Sequence, residues 1–115
     1  MSGYISTPKW TISAGALACL GILAAGAAAE DMTSGDVVHR LKSEEASAFL
    51  AGIIEGMAYA RYQRDGQDPA GMDCIKSWFY ETNGTPAKVL SAMENFSEHA
   101  PAAVLAAMIQ KECGA

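Results

Sequence analysis

Apolar and polar positions divide the chain into an uncharged apolar start and a periodically patterned remainder. From Trp10 to Ala25 the sequence WTISAGALACLGILAA carries no charged residue. Beyond Glu30, apolar residues recur at helical spacing. The clearest run is Ala46, Phe49, Leu50, Ile53, Ile54, Met57 and Ala60. These are positions i, i+3, i+4, i+7, i+8, i+11 and i+14, one face of a helix. Ser43 is placed to cap it, and Glu44 and Glu45 fall in its first turn, where the helix dipole favours negative charge. Arg61 and Arg64 suit its carboxyl end. A shorter helix precedes it. Thr33 or Ser34 caps that helix, Asp36 lies in its first turn, and Val37, Val38 and Leu41 form its apolar face.

After the long helix, Asp65–Gly71 (DGQDPAG) reads as a loop by composition. Met72–Thr82 (MDCIKSWFYET) predicts one or two helical turns, ended by Asn83-Gly84. Thr85-Pro86 is a helix start, with Thr as cap and Pro at the first position. That helix runs from Pro86 to about Glu98 and turns Val89, Leu90, Met93 and Phe96 inward. His99-Ala100-Pro101 breaks the chain, and Pro101 opens a last helix. Its stripe is Val104, Leu105, Met108 and Ile109, with Lys111 in the last turn and Gly114 at the cap. No run of β-branched residues alternates as a strand does. The expected fold is all-α, with four to five helices. Gly52 and Gly56 lie inside the long helix, where each costs about 1 kcal/mol relative to Ala. Their presence predicts close packing by another helix or loop, and the same small-residue stripe permits a homodimer.

Length and charge narrow the class. With 115 residues there is room for one small domain and none for a two-domain enzyme. Lys9 is the only charged residue before Glu30, so the first 29 residues carry +1 and the rest carry 7 − 13 = −6. An acidic chain without a basic run is a poor ligand for a phosphate backbone, so no nucleic-acid partner is expected. A polar start ending in Lys9, the apolar run and Ala27-Ala28-Ala29 follow the order of a secretory signal peptide. Residues 1–29 are read as that signal and 30–115 as the exported domain, located in the periplasm. The alternative is an uncleaved membrane anchor, since residues 10–29 span about the 20 positions a bilayer needs. Their Ala and Gly content inserts weakly. Cys19 raises a third alternative, a lipoprotein signal, but the apolar run continues beyond it.

Cleavage leaves two cysteines, Cys74 and Cys113, and an even count in an exported protein favours pairing. The closed loop of 113 − 74 + 1 = 40 residues would stabilise the fold by up to about 4 kcal/mol. The alternatives are free thiols, or a zinc site completed by His39 and His99, which lacks the usual close ligand spacing. Neither histidine sits in a nucleophile motif, and Glu55 falls off the apolar stripe of the long helix. There is no phosphate-binding loop, GxSxG or HExxH. No catalytic residue, metal or cofactor is therefore expected. Trp78-Phe79-Tyr80 stands out. Three successive aromatics cannot all face one small core, so at least one is partly exposed. The cluster is either a core plug with a half-exposed Tyr or the centre of an interface.

Several features occur in a fixed order: an export signal, Gly35-Asp36 opening a short helix, FLAGIIEGMAYA (Phe49–Ala60), then Cys74. Thr85 as a helix start, the His99-Ala100-Pro101 break, an Ala-rich last helix and Cys113-Gly114 follow. This order resembles the type VI secretion amidase immunity proteins of the Rap/Tai type, which pair a signal peptide with an HdeA-like helical domain. The matching positions are Gly52, Gly56, Cys74, Thr85, Pro101 and Cys113, all scaffold. Where members carry a further Cys near the start of the long helix, this chain has Leu50. The resemblance implies binding without catalysis: inhibition of a peptidoglycan amidase by loops that plug its cleft. The Asp65–Asp73 loop, with Asp68 and Asp73, and the Trp78–Thr85 segment are then the candidate contact regions. Two other functions fit the same reading, an HdeA-like acid-stress chaperone and, if residues 10–29 are retained, a membrane-anchored accessory subunit.

Overall fold

Local signals account for most of the helix boundaries. The computed structural model describes residues 32–115, so the expected signal segment, Cys19 and the question of cleavage lie outside the described residues. Five helices follow in order, and no strand occurs among the described residues: α1 (Ser34–His39), α2 (Ser43–Arg64), α3 (Ala70–Lys76), α4 (Thr85–Asn95) and α5 (Pro101–Cys113). A π-helical turn, Ser77–Glu81, continues α3. The fold is all-α, and a disulfide joins Cys74 to Cys113 with Cα atoms 5.9 Å apart. This excludes both cysteines as thiolate ligands or free thiols. Among the described residues no helix is long and apolar enough to cross a membrane.

Thr33 caps α1 through a reciprocal pair of bonds. The Asp36 N–H donates to the Thr33 hydroxyl, and the Thr33 N–H donates to the Asp36 carboxylate. At α2 the cap is Lys42, one residue before the expected Ser43; its N–H donates to the Glu45 carboxylate at 2.9 Å. This is the returning half of a capping box: Glu45 satisfies the N–H of the cap residue itself, whereas a Ser hydroxyl at the cap would accept from an N–H two or three residues into the helix. Helix α4 likewise begins one residue early. Gly84 takes the cap position at φ 82°, a left-handed conformation that Gly adopts without steric cost, and Thr85 is the first helical residue.

The buried positions of α2 are Ala46, Leu50, Ile54 and Ala58. Each step of four residues exceeds a full turn by about 40°, so the stripe winds around the helix. Phe49, Ile53 and Met57 flank it half-buried, whereas Ala60 is exposed and Ala58 takes its place. Helix α2 packs most extensively on α3. Ile75, Val89, Met93 and Leu105 join the stripe in a single core. Phe96 departs from expectation. Helix α4 ends at Asn95 and Phe96 leaves the helical register, so the side chain is 54 % exposed and meets His99 edge-on at 5.7 Å.

The two glycines of α2 do not mark a close approach. Gly52 and Gly56 are exposed, and among the described residues a Cβ on either would meet nothing within 4 Å. Their spacing of four follows the buried stripe, but on the opposite side of the helix. The close approaches are at Gly35 and Gly71 instead. A Cβ on Gly71 would lie 2.5 Å from Arg61 Nε and 2.8 Å from Asp65 Oδ2. The expected loop over residues 65–71 is shorter than composition suggested, because Ala70 and Gly71 already belong to α3.

Candidate functional site

Successive residues of an α-helix are about 100° apart, too wide an angle for adjacent aromatics to share one core. The π turn lowers that angle, and it spans the aromatic run. Trp78 and Phe79 are both buried, at 9 % and 7 % exposure, while Tyr80 is 50 % exposed. The run is therefore a core plug with a half-exposed Tyr. Most of the Trp78 and Phe79 rings faces the core, so of the three expected contact residues Tyr80 offers the largest free surface. Its ring stands edge-on to Phe79 with centroids 5.1 Å apart.

Tyr80 borders a groove of about 520 Å³ between α1, the first half of α2, the π turn and α4. Its walls are apolar: Val38 from α1, Leu41 from the turn after it, Leu50 from α2, Phe79 beneath, and Leu90 from α4. Hydroxyls of Ser43, Ser47 and Tyr80 supply its polar points. Partial burial raises the Tyr80 pKa above its ordinary value; the Glu55 carboxylate raises it further and the Lys76 ammonium opposes this. At ordinary pH the phenol is a neutral hydrogen-bond donor and acceptor. Glu55 itself is exposed, as expected, and sits 3.5 Å from Lys76.

The remaining candidates lie elsewhere. Asp68 is exposed, and its carboxylate accepts from the Ala70 N–H at 3.0 Å, so it caps α3. Asp73 is exposed in the first turn of α3. Neither lines the Tyr80 groove. His39 lies 3.0 Å from Glu94 on the surface, and His99 packs on Phe96. Among the described residues no three His, Cys, Asp or Glu side chains form a cluster that could hold a metal.

Sequence reasoning missed one structural device. The Arg61 guanidinium donates from Nε to Asp65 at 2.8 Å, from one terminal nitrogen to the Gly114 carbonyl at 3.1 Å, and from the other to the Cys113 carbonyl at 3.3 Å. The i,i+4 spacing to Asp65 was legible. The two carbonyls, more than fifty residues away, were not.

No family model matches the chain, and no curated protein or solved structure matches it. The likeness to the amidase immunity proteins rests on the order of short motifs in the sequence.

Proposed function

We propose that the chain is an exported, non-catalytic protein-binding domain that acts as an inhibitor in the manner of the amidase immunity proteins it resembles. The observation that supports this reading is the Tyr80 groove. An apolar cleft with a half-exposed aromatic at its rim suits an apolar side chain of a partner. The negative charge of the exported part favours a basic partner surface and speeds encounter with it. A periplasmic cell-wall amidase is the partner that the resemblance implies.

The test is reconstitution with cell-wall amidases captured by the tagged protein from periplasmic extract at neutral pH. The expected result is stoichiometric binding, loss of amidase activity in the complex, and at least tenfold weaker binding by Tyr80→Ala. Capture of many unrelated proteins, or a Tyr80→Ala variant that binds as the parent does, rejects the reading.

One observation favours a second reading, the acid-stress chaperone. The Asp36 carboxylate helps cap α1 by accepting the Thr33 N–H. Its protonation weakens that cap. Suppression of client aggregation that begins only below about pH 4, near the ordinary carboxylate pKa, would favour the chaperone over the inhibitor.

A further inference from the structure

The aromatic run divides two grooves. Tyr80 and Phe79 line the first, and Trp78 lines a second groove of about 490 Å³ on the side of the disulfide. We infer that this second groove is a binding site for a small carboxylate-bearing ligand. Its apolar wall is Trp78, Met108 and the Cys74 end of the disulfide. Its cations are Lys88 from α4 and Lys111 from α5. Arg40, Arg61, Arg64 and Lys76 all stand against carboxylates, but Lys42, Lys88 and Lys111 pair with none among the described residues, and the last two line this groove.

Buried polar groups point the same way. Trp78 is 9 % exposed, and its indole N–H has no acceptor among the described residues. Thr85 is 1 % exposed and its hydroxyl likewise makes no side-chain hydrogen bond there. No sealed polar atom lacks a partner, so each keeps a narrow opening, and both residues line this groove. Water reaching these groups would satisfy them, and a ligand acceptor could take that water's place. Helix α4 begins at Thr85, so the positive end of its dipole also lies at the groove.

The charge balance selects the anion. Glu112 lines the rim, leaving 2 − 1 = +1 from the charged side chains of the lining. The Glu81 carboxylate is nearby but accepts the Ser77 hydroxyl at 2.7 Å. A net single positive charge suits a carboxylate monoanion better than a phosphate dianion. The wall of Trp78 and Met108 suits an apolar body attached to that carboxylate.

This inference does not rest on the protein-inhibitor reading, which concerns the other groove. In a Trp10→Phe background Trp78 gives the single indole N–H signal in a proton–nitrogen NMR spectrum. The purified chain is titrated with N-acetylphenylalanine, its uncharged amide, and inorganic phosphate. A saturable shift of the Trp78 indole signal by the acid is expected, with at least tenfold weaker binding of the amide and of phosphate. Lys88→Gln and Lys111→Gln, both at exposed positions, each weaken binding of the acid about fivefold to tenfold. Glu112→Gln tightens it about twofold, and Tyr80→Ala leaves it unchanged. A peptide ending in a free phenylalanine carboxylate tells a chain terminus from a free small acid as the natural source, and tighter binding of either supports the site. The inference is overturned if the amide or phosphate binds as tightly as the acid, or if both lysine variants bind as the parent does.

Discussion

Helix α5 is attached to the rest of the domain by different chemistry at its two ends. At its start, the turn before Pro101 offers carbonyls to the amino end of α1. The Ser34 N–H and hydroxyl both donate to the His99 carbonyl at 2.8 Å, and the Gly35 N–H donates to the Ser97 carbonyl at 2.9 Å. At its finish, Cys113 is bonded to Cys74 of α3, and Arg61 of α2 holds the last carbonyls. The first attachment consists of hydrogen bonds around a fully buried Ser34, which withstand reduction and lose only one of their number with the Ser34 hydroxyl. The second combines a covalent constraint on the unfolded chain with a charged clamp. A domain of this size gains little from its core alone, so both attachments matter.

The largest expected effect breaks the covalent end. Replacing Cys74 and Cys113 together by Ser frees a 40-residue loop and destabilises the domain by about 3–4 kcal/mol, read from urea unfolding. Gly71→Ala comes next. Its methyl group overlaps Arg61, which must leave its carbonyls, so the cost is about 1–3 kcal/mol. In an Arg61→Ala background the same substitution costs much less, and that non-additivity shows that Gly71 serves the clamp. Ser34→Ala tests the other attachment. It removes one buried hydrogen bond and costs about 1 kcal/mol. Amide exchange then accelerates first at α1, while α3 and the end of α5 keep their protection.

A smaller and opposite effect is expected on the exposed face of α2. Gly52→Ala and Gly56→Ala each stabilise by about 0.5–1 kcal/mol, because the added methyl meets nothing among the described residues and the helix loses a flexible position. The smallest effect concerns acid. The Thr33 N–H donating to Asp36 is the first reason its pKa lies below the usual carboxylate value, and the Thr33 hydroxyl and Arg40 add to it. The folded-state pKa is lowered, so the contribution is present above the unfolded value and is lost as pH falls through the folded one. Unfolding midpoints measured from pH 6 to pH 2 should show a shallower decline for Asp36→Asn than for the parent.

Much of the fold was legible because it depends on local chemistry. Thr33 with Asp36, Pro101 at a helix start and the stripe Val104, Leu105 and Ile109 each carry their own signal within a few residues. Pairing of Cys74 with Cys113 was expected only on the reading that residues 1–29 are a signal, which sets Cys19 aside. The candidate site was only partly legible. One exposed ring in the Trp78–Tyr80 run was required by geometry, but which ring was open depended on a π turn that has no sequence signature. Phe96 fitted the apolar period and still became exposed, since the helix ended one residue before it. At Gly52 and Gly56 the small-residue spacing did not correspond to a close approach among the described residues.

The amino-acid sequence by itself determined where most helices begin, to within a residue or two, and which residues they bury in outline. These follow from backbone capping and helical period, which act over short distances. Only the tertiary structure decided that Arg61 closes on the Cys113 and Gly114 carbonyls, that Gly71 makes room for it, and that Lys88 and Lys111 converge beside Trp78. Those arrangements depend on how α2, α3, α4 and α5 cross, and the crossing is set by packing between residues far apart in the chain.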